Sequence, residues 1–129
     1  WTAMKDCRFT PIIERIRSQS GQRFDQAAYF FLLEALDFTI FRLGRQNNDL
    51  EERHISPPEL MDGLRLYATE EFGPMAPFVF RRWGLVSTGD FGTIVFQMCD
   101  AGLLRRQERD TAKDFEDCFD FEEAFAPAW

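Results

Sequence analysis

Apolar residues recur at helical spacing through most of the chain, and glycine, proline or polar runs punctuate them. Residues 9–19 set Thr10 ahead of Pro11 and align Ile12, Ile13 and Ile16, which predicts a short amphipathic helix with a capping hydroxyl and a first-turn proline. Gly21 interrupts, and Phe24 to Leu43 then carries apolar side chains on nearly every face, broken by Glu34, Asp37 and Arg42 and stopped by Gly44. That stretch predicts a central, largely buried helix. Polar residues 45–55 form the one clear internal linker.

Ser56-Pro57-Pro58-Glu59 is the most specific local signal. It supplies a capping serine, prolines in the first turn, and a glutamate at the third helical position that reaches back to the serine amide. The helix it opens keeps Leu60, Leu64, Tyr67, Ala68 and Phe72 on one side and stops at Gly73-Pro74. A shorter helix over about 75–83 is expected to turn Met75, Val79 and either Trp83 or Phe78 inward, with Arg81 and Arg82 adjacent and Gly84 at its end. Ser87, Thr88 and Asp90 start another that carries Phe91, Ile94, Val95 and Met98 and ends at Gly102.

Leu103 to Gln107 and about Asp117 to Phe121 read as two strands around the polar turn Arg109 to Asp114, the second strand or else an irregular segment. Three helices followed by a hairpin is the order of a winged helix. The expected fold is therefore mainly α, about five helices with a small β-hairpin, the C-terminal part winged-helix-like. One domain is expected over 9–125, after an extension at 1–8 and before a short tail at 126–129.

Composition narrows the class. Hydrophobic residues make up 45% of the chain and aromatics 16%, with fifteen Phe, so there is enough apolar surface to fold around one core. Glu34 and Asp37 interrupt the richest apolar stretch, which keeps every run short of the roughly 18 residues that span a bilayer. No membrane association and a cytoplasmic location are expected. Cys7, Cys99 and Cys118 are an odd number without Cys-x-x-Cys spacing, which suggests neither a disulfide framework nor a zinc cluster. The single histidine, His54, falls at the edge of the polar linker and reads as a solvated side chain.

The net charge of −7 is uneven: residues 110–129 hold seven acids and one base, Lys113. The segment 114–125, DFEDCFDFEEAF, alternates acid with phenylalanine. It lacks the central glycine and closing glutamate of a calcium loop. Its phenylalanines are expected to fold back on the domain, yet Phe115, Phe119 and Phe121 are also the residues such a segment would offer to a basic, apolar groove. Arg81, Arg82, Arg105, Arg106 and Arg109 are the candidate cationic patch.

Other motifs give less. Asp90-Phe91-Gly92 matches the magnesium-binding tripeptide of kinases, but no Gly-rich loop, lysine strand or catalytic loop accompanies it. Glu34 and Asp37, three apart, share a helix face and are the one candidate carboxylate pair for acid–base or divalent-ion chemistry, without a positioned partner such as a second histidine. The helix over 89–101 holds Asp90 and Asp100 and no base, which disfavours it as a DNA-recognition helix. Gly89 and Gly92 near its start imply that another group packs closely there.

Ala28 to Thr39, Phe72 to Ala76, Arg82 to Leu104 and the acid-Phe segment 114–125, taken in this order, resemble a family of uncharacterised conserved hypothetical proteins restricted to Verrucomicrobia and Planctomycetes. The resemblance spans roughly 9–125. It implies a full-length small bacterial protein and carries over no catalytic or binding residue. Trp1 precedes Met4, so residues 1–3 read as an addition ahead of the native start. The leading expectation is a non-enzymatic protein-interaction module without a cofactor, its partner a protein engaged by the acidic tail or the arginines. A nucleic-acid-binding winged-helix-like protein is the alternative, and a small enzyme using Glu34 and Asp37 stands behind both.

Overall fold

In the computed structural model the described residues are 10–19, 21, 23–44, 55–104, 112–116 and 118–125. They are mainly helical: α1 (Thr10–Gln19), α2 (Gln26–Arg42), α3 (Pro57–Phe72), α4 (Ala76–Arg82), α5 (Thr88–Asp100) and the single turn α6 (Phe121–Ala124). Short 3-10 turns lie at Gly73–Met75 and Ala112–Phe115. Residues 1–9, the linker core 45–54, 105–111 and 126–129 lie outside the described residues, and with them fall the N-terminal extension, His54, Arg105, Arg106, Arg109 and the short tail.

The helix starts follow local chemistry. Asp25 caps α2 by accepting the Ala27 N–H at 2.9 Å. Ser56 and Glu59 form the expected reciprocal box at α3, the Ser56 hydroxyl accepting the Glu59 N–H at 3.3 Å and Glu59 accepting the Ser56 N–H at 3.1 Å. α2 is apolar all round because it is the central element, burying Tyr29, Phe31, Leu32, Leu33, Ala35 and Ile40. α3 lies along it, and Gly63 permits the approach: a Cβ there would stand 1.9 Å from Thr39 Oγ1. Most of the buried apolar side chains, from Ile13 to Phe125, form one contiguous cluster.

The ends of α4 and α5 are built alike. Leu85 N–H bonds Phe80 O at 2.8 Å after Gly84, and Leu103 N–H bonds Met98 O at 2.9 Å after Gly102. These are the long bonds of Schellman caps, with the glycines at φ 91° and 83° and the following leucines buried. At Gly84 a second constraint applies, since a Cβ would stand 2.5 Å from Arg23 O. The α1–α2 connection is strapped across this turn: Asp25 N–H bonds Trp83 O at 2.9 Å, and Arg23 Nη2 bonds Asp90 Oδ1 at 2.7 Å.

No strand occurs among the described residues; 105–107 of the first expected strand and 109–111 of the turn lie outside them, and the irregular alternative holds where the second strand was expected. Leu103 is the apolar member of the α5 cap, and where the second strand was expected, Cys118 to Asp120 is irregular and Phe121 opens α6. The physical reason lies in Asp120, whose side chain accepts the Glu122 and Glu123 N–H groups at 2.9 and 3.1 Å and so starts a helical turn. The inward face of α4 is corrected in part. Ala76, Pro77 and Phe80 are buried and Trp83 packs against the core, whereas Met75 and Phe78 are each 57% exposed. The 3-10 turn at Gly73–Met75 sets the phase, leaving the first of the expected inward residues outside the helix proper.

The acidic segment folds back along α5. Phe115 lies over Gly92, where a Cβ would stand 2.7 Å from the Phe115 Cβ and 2.8 Å from its ring, so the glycine is required by close packing. Cys118 N–H bonds the buried Thr88 hydroxyl at 3.1 Å. Phe121 and Phe125 stack on Phe80 with centroids at 5.0 and 5.8 Å. Gly89 has only ordinary contacts.

Candidate interaction surface

On a helical wheel the buried positions of α4 cluster around Ala76, Pro77 and Phe80, and the opposite side presents Phe78, Arg81 and Arg82 with Met75 just ahead of the first turn. Residues 75, 78 and 82 stand near one line, three and four apart, and 81 lies beside 78. The Arg81 guanidinium carbon is 5.7 Å from the Phe78 ring centroid. Phe41 and Val86 are also exposed, each at 71%, but isolated exposed apolar residues are ordinary. Met75 and Phe78 differ because they are one turn apart and run directly into two cations.

Acids bound this face. Glu70 and Glu71 close α3 just before the turn and are exposed. Arg81 is ion-paired with Glu122 of α6. Arg82 is exposed and meets no carboxylate among the described residues.

The other candidate residues are placed differently. Phe115 and Phe121 are buried at 2% and 7%, and Phe119 is half-buried beside Phe121 and Phe125. As a surface offered to a partner, Phe115 and Phe121 are corrected: they belong to the core, Phe115 on Gly92 and Phe121 on Phe80 and Phe91, while Phe119 packs against that core from the edge. Among the described residues of the segment, Asp114, Glu116, Cys118, Asp120, Glu122 and Glu123 are exposed.

Glu34 and Asp37 are both half-buried on α2. Glu34 accepts the Tyr67 hydroxyl at 2.7 Å, a bond that ties α2 to α3. Burial, then the negative charges of Glu71 and Glu70, push the Tyr67 phenol above its ordinary pKa. A raised folded-state pKa means the folded protein holds this proton more tightly than the unfolded chain, so its contribution is intact below the ordinary value of 10.0 and is lost as pH climbs through the raised one. Tyr67→Phe is expected to cost about 1 kcal/mol near neutral pH, from the lost bond, and to flatten the fall in stability above pH ~10, read by urea titrations across pH.

Asp90 of the Asp-Phe-Gly tripeptide is a structural cap. It is 6% exposed and accepts the Val86 and Ser87 N–H groups at 2.8 and 3.3 Å besides the Arg23 guanidinium. Phe91 is core, and Gly92 receives Phe115. The outer side of α5 is covered in part by the acidic segment, with Phe96 and Phe115 rings edge-on at 6.0 Å, which leaves this helix poorly placed to enter a DNA groove.

A groove of about 500 Å³ between α1 and α5 is lined by Ile12, Arg15, Ile16, Gln19, Gln97, Asp100 and Ala101 and contains neither Glu34 nor Asp37. Among the described residues no three His, Cys, Asp or Glu side chains are grouped to hold a metal ion. No helix among them is long and apolar enough to cross a membrane. Comparison with protein-family models, with curated proteins and with solved structures finds no match.

Sequence reasoning had marked Arg81 and Arg82 and missed Met75 and Phe78 as exposed. A signal was present. In a Gly-Leu helix end the leucine bonds back to the residue five before it, which fixes Phe80, and not Phe78, as inward.

Proposed function

We propose that the protein is a non-enzymatic protein-interaction module that docks its partner on the outer face of α4. The observation that supports this reading is the grouping of exposed Met75, in the turn just before α4, with exposed Phe78, Arg81 and Arg82 on that short helix. Aromatic and methionine anchors edged by arginine are the residue types enriched in protein interfaces. Phe78 supplies apolar area to remove from water, and the arginines supply orientation through planar, bidentate contacts. A polyanion is a poorer fit. Glu70 and Glu71 are exposed in the helix before the face and Glu122 and Glu123 in the tail that packs on the inner side of α4, and the chain carries a net charge of −7.

A photo-crosslinking amino acid at position 78 of the full chain, with Thr69 as the control position, tests the reading in lysate of the source cells. The expected result is a discrete crosslinked protein from position 78 that disappears when Arg82→Glu is added and is missing from position 69. Equal products from both positions, or a product indifferent to Arg82→Glu, would remove the α4 face from consideration. A salt-sensitive shift of labelled DNA or RNA that is lost with Arg82→Glu would transfer the same face to nucleic acid.

A further inference from the structure

The α4 face carries evidence of what it accepts. Arg81 is already held by a carboxylate, that of Glu122, and this contact is arranged rather than casual. Asp120 starts α6 by accepting the two following N–H groups, Phe121 and Phe125 seat the turn on Phe80, and Phe80 lies on the inner side of the very helix that presents Arg81 outward. Glu122 is thereby brought to the edge of the stripe while remaining 60% exposed, and Arg81 remains 53% exposed. A pair so open to water is weakly held and exchangeable. On the same side of the chain, Phe78 one turn before Arg81, Met75 ahead of it and the adjacent Arg82 are left exposed.

Resting on the docking role assigned to α4 above, we infer that the partner is an acidic, apolar protein segment that offers a carboxylate to Arg81 and Arg82 and an apolar side chain to Phe78 and Met75, and that Glu122 is an internal competitor for Arg81. Charge complementarity selects the partner: two adjacent guanidinium groups beside two apolar side chains match a segment of one or two carboxylates next to an apolar residue, as in an amphipathic acidic helix. The chain's own tail meets the same helix with the same chemistry, aromatic residues beneath and a carboxylate on the arginine. Binding therefore requires Arg81 to leave Glu122 or to share it. Removing the Glu122 charge should strengthen binding, and the gain should exceed that from removing a neighbouring acid that does not touch Arg81.

The test uses the full chain and three synthetic 14-residue peptides with identical Leu and Phe positions at helical spacing, their remaining positions Glu, Gln or Lys. Binding is read by fluorescence anisotropy and by backbone amide shifts of residues 75–82. The Glu peptide is expected to bind alone, to shift residues 75–82, and to lose at least tenfold in affinity with Phe78→Asp or Arg82→Glu. Glu122→Gln is expected to tighten it about threefold, the size of an exposed ion pair. Glu123→Gln, which changes net charge equally, is expected to tighten it by less. Circular dichroism of each variant confirms that the fold is retained.

The outcomes separate the two claims. No shift at residues 75–82 with the Glu peptide, in either the native chain or Glu122→Gln, overturns the docking face itself. Binding at α4 that is unchanged by Glu122→Gln, or changed equally by Glu123→Gln, leaves the face standing and removes the competitor. Equal binding of the Gln peptide, or preference for phosphatidylserine vesicles over the Glu peptide, overturns the acidic protein segment as occupant.

Discussion

Phe80→Ala should cost about 4 kcal/mol, in the range for deleting a fully buried aromatic side chain. Phe80 is 0% exposed and stands where four parts of the chain meet. Its ring contacts Phe31 of α2 at 5.7 Å, Phe91 of α5 at 5.2 Å, and Phe121 and Phe125 of the acidic segment at 5.0 and 5.8 Å. For a chain of this length the whole folding free energy is on the order of 10 kcal/mol, so this loss removes a large part of it. The melting temperature should fall by about 15 °C, given an unfolding entropy of roughly 2 cal/mol/K per residue. Because Phe121 and Phe125 lose their seat, limited proteolysis should cut the acidic segment before the helices, at temperatures where the native chain resists. Phe78→Ala, two residues away and on the outer face, should cost under about 0.5 kcal/mol. Similar losses for the two variants would mean that the inward face of α4 had been assigned wrongly.

That contrast also marks where the sequence could be read and where it could not. The starts of α3 and α5 were legible because each is written in consecutive residues, Ser56 and Glu59 for α3, Ser87 and Asp90 for α5, whereas Thr10, read as a cap, lies inside α1. Gly92 was legible as a packing glycine, because a glycine inside an apolar helix costs stability unless something, here Phe115, occupies the Cβ position. The phase of α4 was not. Seven residues make fewer than two turns, too few for an apolar period to declare itself, and Met75 and Phe78 are as apolar as the residues that are buried. The irregular course of 118–120 was hidden for a related reason. A short alternation of acid and phenylalanine fits a strand on pattern alone, and only the tertiary positions of Gly92, Thr88 and Phe80 decide that Phe115, Cys118 and Phe121 settle one after another along α5 and α4.

The candidate surface was half legible for the same cause. Arg81 and Arg82 announce themselves by charge, whereas an exposed phenylalanine has no signature distinct from a core one. Glu34 and Asp37 show the reverse limit of local spacing. Two carboxylates three apart on an apolar helix suggest chemistry, yet Tyr67 on the next helix supplies Glu34 with a hydroxyl at 2.7 Å, a partner 33 positions away that no local spacing reveals.

Gly63→Ala tests the other junction that spacing alone left unmarked, the crossing of α2 and α3. A Cβ at 63 would lie 1.9 Å from Thr39 Oγ1, 2.8 Å from its Cβ and 2.9 Å from its Cγ2. Thr39 cannot swing aside cheaply: it is fully buried, β-branched, and its hydroxyl donates to Ala35 O at 2.7 Å. Two effects oppose each other. Alanine gains about 1 kcal/mol over glycine in helix propensity, and overpacking at such a contact costs about 3 kcal/mol or more because the helices must separate. The clash should win, leaving a net loss of about 2 kcal/mol in chemical denaturation. Thr39→Ala removes the two outer atoms and leaves only the 2.8 Å approach, so the double variant Gly63→Ala/Thr39→Ala should recover more than half of what the two single losses sum to. A Gly63→Ala chain as stable as the native one would mean that α2 and α3 do not approach at this point. Strictly additive losses in the double variant would mean that Thr39 is not what the new methyl meets.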